Sequence, residues 1–87
     1  MDFRGPGDPS RIARAIQDYL EDTGTTGAEL AKRLGFSAGA VSQYRNGQLV
    51  PSASRLMKLA NAIGVDVRTL MRPEFGGISE EKEALHA

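Results

Sequence analysis

Three residues, Ala31, Gly35 and Val41, constrain this chain more than any other feature. They lie within the run from Thr26 to Gly47, with Gly35 four residues after Ala31 and Val41 six after that. Two short helices can cross at a steep angle only if three needs are met. The first helix needs a small residue where the second presses on it, the link needs a residue tolerant of positive φ, and the second helix must send back an apolar side chain. Ala31, Gly35 and Val41 meet those needs in order, and Leu30, Leu34, Phe36 and Tyr44 supply apolar volume between the helices.

The flanking sequence extends this pair into an all-α domain. Asp8 and Pro9 make a helix start, with Ser10 as an alternative cap. Ile12, Ile16 and Leu20 then repeat every four residues, with Ala15 and Tyr19 beside them, before Gly24 ends the helix. Thr26 and Glu29 have the spacing of a capping box that opens helix two. Ser37 caps helix three, which runs to Arg45 or Asn46 with Val41 and Tyr44 facing inward. The pair Asn46-Gly47 marks a turn, followed by a loop over Gln48-Leu49-Val50-Pro51. Ser52 caps helix four, whose Leu56, Leu59, Ala60 and Ile63 form an apolar face stopped by Gly64. Asp66 caps a short fifth helix carrying Val67, Leu70 and Met71, and Pro73 closes the domain. The expected organisation is a flexible arm over residues 1–7, a domain over 8–72 and an acidic tail over 73–87, with Phe75-Gly76-Gly77 as a hinge.

Composition excludes several alternatives. Eighty-seven residues make one domain, able to bury roughly 60–65% of its unfolded surface. No stretch approaches the ~20 apolar residues of a membrane span, and the first seven residues do not resemble a signal peptide. The absence of cysteine removes disulfides and thiolate metal sites. A cytoplasmic protein without metal or cofactor is expected. The sole histidine, His86, is penultimate and has no nucleophile, paired carboxylates or phosphate loop to work with, so an enzyme is not expected. Glu80, Glu81 and Glu83 read as a solvated run.

Formal net charge is zero, which at first argues against a polyanionic partner. The zero conceals a segregation. Between Thr25 and Arg72 seven basic residues face two acidic ones, a net of +5, whereas Pro73 onward carries −3 and the first 24 residues −2. A basic middle with acidic ends suits a small nucleic-acid-binding domain with a separate tail. The crossed helix pair is a helix-turn-helix, the unit that lays its second helix in the major groove of DNA.

Three stretches, Glu29-Leu30-Ala31-Lys32-Arg33-Leu34-Gly35, Gln43-Tyr44-Arg45-Asn46-Gly47 and Leu59-Ala60-Asn61-Ala62-Ile63-Gly64-Val65, make the span from Ser10 to Met71 resemble the Cro/repressor-type (Xre) DNA-binding domains. The resemblance implies a compact five-helix, lambda-repressor-like bundle with the helix-turn-helix as helices two and three. It also implies a homodimer that binds a pseudo-palindromic operator and represses transcription. The chain departs from the family in three places. Gly27 stands where a phosphate-binding Gln is frequent, though a backbone amide at a helix N-terminus can still hold a phosphate. Ala38, Gly39 and Ala40 stand where helix three usually presents polar side chains. Arg45 replaces a frequent Glu whose Arg partner in helix one is absent, with Leu20 near that place.

Sorted by chemistry, the candidate base contacts are Ser37, Ala38, Gly39, Ser42 and Gln43. The carboxamide of Gln43 can address adenine through two atoms, and Ala38 can touch a thymine methyl. Gln43 as a phosphate contact or a solvated side chain is the alternative. The candidate phosphate contacts are Thr26, Gly27, Arg45, Asn46, Gln48 and Ser52. Arg45 can equally serve the negative end of its own helix, and Ser52 can simply cap helix four. Lys32 and Arg33 read as a solvated face, and Arg4 as an arm residue able to enter a minor groove. Val67, Met71 and Phe75 are the expected dimer seam, with the tail from Phe75 through Ile78 to Leu85 able to extend it; packing onto helix one is the alternative for Val67 and Met71. The rival function is a protein-interaction module or antitoxin of the same fold, with a protein partner reached through helix three or the acidic tail.

Overall fold

The computed structural model of the chain describes residues 5–78. Arg4 and the tail residues Glu80, Glu81, Glu83, Leu85 and His86 lie outside the described residues. Four α-helices run in order, α1 (Pro9–Thr23), α2 (Gly27–Leu34), α3 (Ala38–Arg45) and α4 (Ala53–Ile63), followed by 3-10 turns at Val67–Leu70 and Pro73–Phe75. Each α-helix starts where a side chain takes up first-turn amides. Asp8 Oδ1 accepts from the amides of Ser10 and Arg11 at 2.9 and 3.2 Å. Thr26 Oγ accepts from the Glu29 amide at 3.1 Å while Glu29 Oε1 accepts from the Thr26 amide at 2.9 Å, a complete capping box. Ser37 and Ser52 cap α3 and α4 in the same way.

The core is continuous. Ile12, Ile16 and Leu20 of α1 meet Leu30 and Ala31 of α2, Val41 and Tyr44 of α3, and Leu56, Leu59, Ala60 and Ile63 of α4, with Leu70 closing one end. α2 ends at Gly35, whose φ of 74° lies in the left-handed region. Its amide and that of Phe36 return to the Lys32 and Ala31 carbonyls at 3.2 and 2.9 Å. This closing pair turns the chain sharply enough for α3 to cross back onto Ala31.

Several expectations change here. The fifth helix is a single 3-10 turn: the Asp66 cap and the extended residue Met71 leave only four residues between them, and Thr69 returns both its amide and its hydroxyl to the Asp66 carbonyl at 2.9 and 2.7 Å. Residues 5–7 are not a loose arm. The Arg72 amide donates to the Pro6 carbonyl and the Asp8 amide to the Leu70 carbonyl, both at 2.8 Å, and Gly7 pairs with Met71 in an isolated antiparallel bridge. Gly7 is buried, and a Cβ there would stand 2.6 Å from Ile12 Cδ1 and 3.1 Å from Val50 Cγ1, so any larger residue would have to push these side chains aside.

Pro73 does not end the body, nor does Phe75-Gly76-Gly77 act as an open hinge. The segment 73–78 turns back on itself, and the Ile78 amide donates to the Arg68 carbonyl at 3.0 Å. Arg11 of α1 clamps this strap, its Nη1 donating to the Met71 and Ile78 carbonyls at 2.7 and 3.2 Å. No helix among the described residues is long and apolar enough to cross a membrane.

Candidate nucleic-acid interface

In α3, Val41 and Tyr44 are buried and Ala40 is half-buried against the core, while the exposed positions form two rows, Ala38–Ser42–Arg45 and Gly39–Gln43 with the cap residue Asn46. Five expected base-reading positions, Ser37, Ala38, Gly39, Ser42 and Gln43, thus share one exposed strip. Ser37 is partly committed: its Oγ accepts from the Ala40 amide at 3.0 Å, leaving the hydroxyl proton to donate outward. Ser42 and Gln43 make no side-chain hydrogen bond among the described residues.

The expected backbone-contacting positions divide. Thr26, Gly27 and Arg45 come together. Arg45 Nη1 lies 3.8 Å from where a Cβ on Gly27 would stand, so the guanidinium sits beside the N-terminus of α2 and does not turn to the carbonyls ending its own helix. Thr26 again uses its oxygen as an acceptor and keeps its proton. The amides of Gly27 and Ala28 precede the first intrahelical bond and have no acceptor among the described residues. Two unpartnered amides, a hydroxyl and a guanidinium gather at this helix start as donors able to hold an anionic oxygen, with the Glu29 carboxylate of the capping box in the same turn.

Asn46 and Gln48 flank the end of α3, where the amides of Gly47 and Gln48 close the helix on the Tyr44 and Gln43 carbonyls at 3.2 and 2.8 Å. That closure fixes the backbone while leaving both side chains exposed. Ser52 stands apart on α4, its oxygen accepting from the Arg55 amide at 3.4 Å.

At the other end, the expected seam is altered. Val67 and Met71 are half-buried and packed against the core, the backbone of Met71 pairing with that of Gly7, while Phe75 remains 49% exposed. The exposed apolar pair inferred from the sequence is therefore two half-buried side chains, and the large exposed side chain among the three expected seam residues is Phe75.

Sequence reasoning missed the arginines that act within the fold. Arg33 is not merely solvated: its Nη1 donates to the Tyr19 hydroxyl at 2.7 Å, tying α2 to α1. Arg55 stacks on Phe36 at 4.8 Å from the ring centre. Neither pairing follows a helical spacing, so no local pattern announces it.

Residues 16–70 match the family described as Helix-turn-helix. A relative in Haemophilus influenzae, an uncharacterised HTH-type transcriptional regulator, is 34% identical over 85% of this chain, which spans only 28% of that relative's length. A second, the ImmF control region 10 kDa protein of Bacillus phage phi105, is 29% identical over 84% of this chain and 81% of its own length. No solved structure gives a significant match. The chain belongs to the Xre-type helix-turn-helix family of DNA-binding, transcription-regulating domains.

Proposed function

We propose that the chain is a sequence-specific transcriptional regulator, a repressor that binds a pseudo-palindromic operator as a homodimer. In this reading α2 and α3 form the helix-turn-helix and α3 enters the major groove. Ser37, Ala38, Gly39, Ser42 and Gln43 face base edges. Thr26, Gly27 and Arg45 hold one phosphate, Asn46 and Gln48 approach the backbone beyond α3, and Ser52 adds a hydroxyl from α4. The observation that carries the reading is the exposed strip of α3, on which Ser42 and Gln43 are uncommitted, together with the meeting of Arg45 and Gly27 at the N-terminus of α2. The name of the phage relative, which refers to a control region, supports a regulator.

Small side chains at Ala38 and Gly39 allow close approach but carry no hydrogen-bonding groups. Discrimination therefore rests on Gln43, Ser42 and the shape of the duplex. The half-buried Val67 and Met71 with the exposed Phe75 form the two-fold seam of the homodimer. A protein-interaction module or antitoxin is the second reading, favoured by the scarcity of polar groups on the front of α3.

Selection of bound duplexes from a random DNA pool at two salt concentrations tests the proposal. Enrichment of two mirrored half-sites, with affinity falling as salt rises, is the expected result. Absence of binding even at low salt overturns it in favour of a protein partner.

A further inference from the structure

Arg55 belongs to none of the residue sets assigned to DNA. Its backbone is fixed first, because it occupies the third position of α4 and its amide donates to the Ser52 cap. From there the side chain leaves its own helix. The guanidinium carbon stands 4.8 Å from the centre of the Phe36 ring, and Nη1 approaches the Tyr44 hydroxyl at 3.5 Å. Those two rings already meet edge to face, 6.3 Å apart at 81°. Phe36 directly precedes the Ser37 cap of α3, and Tyr44 lies in the last turn of α3, so the three side chains hold both ends of one helix. α3 otherwise packs chiefly on α2 and α1. Arg55 is a link that reaches it from α4.

We propose that Arg55 is a positioning residue for α3, setting its tilt on the body of the domain through Phe36 and Tyr44 and making no contact with DNA itself. This rests on α3 being the recognition helix. The geometry suits arginine in particular. The guanidinium carbon lies over one ring while Nη1 reaches a hydroxyl on another, a pairing the extended guanidinium spans and a compact ammonium group does not. The consequence falls on Gln43. A two-atom contact with a base edge tolerates little rotation of the helix that carries it, so a loosened α3 loses discrimination before it loses general attraction to phosphate.

Arg55→Met and Arg55→Lys, made in the full chain, test this with a duplex enriched by the unaltered protein and a scrambled duplex of equal length. Both variants are expected to bind the enriched duplex about five- to tenfold more weakly, in line with the loss of one stacked and one hydrogen-bonded contact. Binding to the scrambled duplex should change little, and the slope of log affinity against log salt should not change. In the free protein, α3 amides should exchange faster while α1 amides keep their protection, and the Tyr44 ring resonances should move. Recovery of affinity in Arg55→Lys, with a slope reduced by about one in Arg55→Met, would identify a direct phosphate contact and overturn the proposal. Equal loss of protection in α1 and α3 would overturn it too, by reducing Arg55 to general stability. If the unaltered chain enriches no duplex, the DNA reading fails by itself, and exchange in α3 against α1 still decides whether Arg55 holds that helix.

Discussion

Arg45 and Gly27 stand side by side, with Arg45 Nη1 3.8 Å from the place a Cβ on Gly27 would occupy. The guanidinium charge is thereby added to the positive end of α2. An anion drawn there meets a full charge and two unpartnered amides together. Arg45→Ala should therefore weaken binding to all duplexes by a similar factor and lower the salt slope by about 0.9, the share of one phosphate. Affinity measured over a salt series checks this. An unchanged slope would mean that Arg45 does not meet the DNA backbone.

In the proposed reading Gln43 makes a different kind of contact. It is exposed, its side chain is uncommitted, and it lies in one row with Gly39 and Asn46. Gln43→Ala should cost about 1–3 kcal/mol toward the selected duplex and far less toward a scrambled one. Competition binding against both duplexes measures the difference, and equal losses would assign Gln43 to the backbone.

Much of this fold was legible because its signals are local. The caps at Asp8, Thr26, Ser37, Ser52 and Asp66, and the apolar row Ile12, Ile16 and Leu20, each depend on residues within one or two turns. The clasp between residues 5–8 and 70–78 was not legible. It consists of backbone bonds such as Arg72 amide to Pro6 carbonyl and of arginine-to-carbonyl bonds, none of which leaves a periodic trace. The same limit applies at the candidate site. Residue types on α3 announced an exposed strip, but the meeting of Arg45 with Gly27 depends on the crossing of two helices.

The clasp has a measurable stability. Arg11 Nη1 serves the carbonyls of Met71 and Ile78 in a partly buried setting, and charged hydrogen bonds of this kind contribute about 1.5–3 kcal/mol. Arg11→Met retains much of the apolar stem and removes both bonds. Its melting temperature should fall by roughly 6–24 °C, as expected for a domain of this size, and the Ile78 amide should exchange faster. A melting temperature equal to that of the unaltered chain would show that the strap is held by its backbone bonds alone.

Asp66 gives the acid limb of stability a specific contributor. The side-chain and backbone hydrogen bonds from Arg68 hold its carboxyl below the ordinary value of 3.8. A pKa depressed in the folded state stabilises the fold above the unfolded value, and that contribution disappears as pH falls through the folded value. Asp66→Asn should therefore flatten the decline of stability below about pH 4. Chemical denaturation at a series of pH values measures it. A decline as steep as in the unaltered chain would show that other carboxylates govern the acid limb.

Ala31 bears on fold and function together. It is 2% exposed, within a core where Leu30, Val41 and Tyr44 are also buried. Larger side chains forced into such a site typically cost 1–3 kcal/mol because neighbours must shift. For Ala31→Leu the available response is an opening of the α2–α3 crossing, since the Gly35 turn is the short link between them. That opening would separate Arg45 from Gly27 and tilt Gln43. The variant should keep its helical circular dichroism, melt roughly 4–24 °C lower, and bind the selected duplex poorly even well below its melting point. Binding restored on cooling would attribute the loss to unfolding alone, whereas a persistent defect would locate it in the crossing of the two helices.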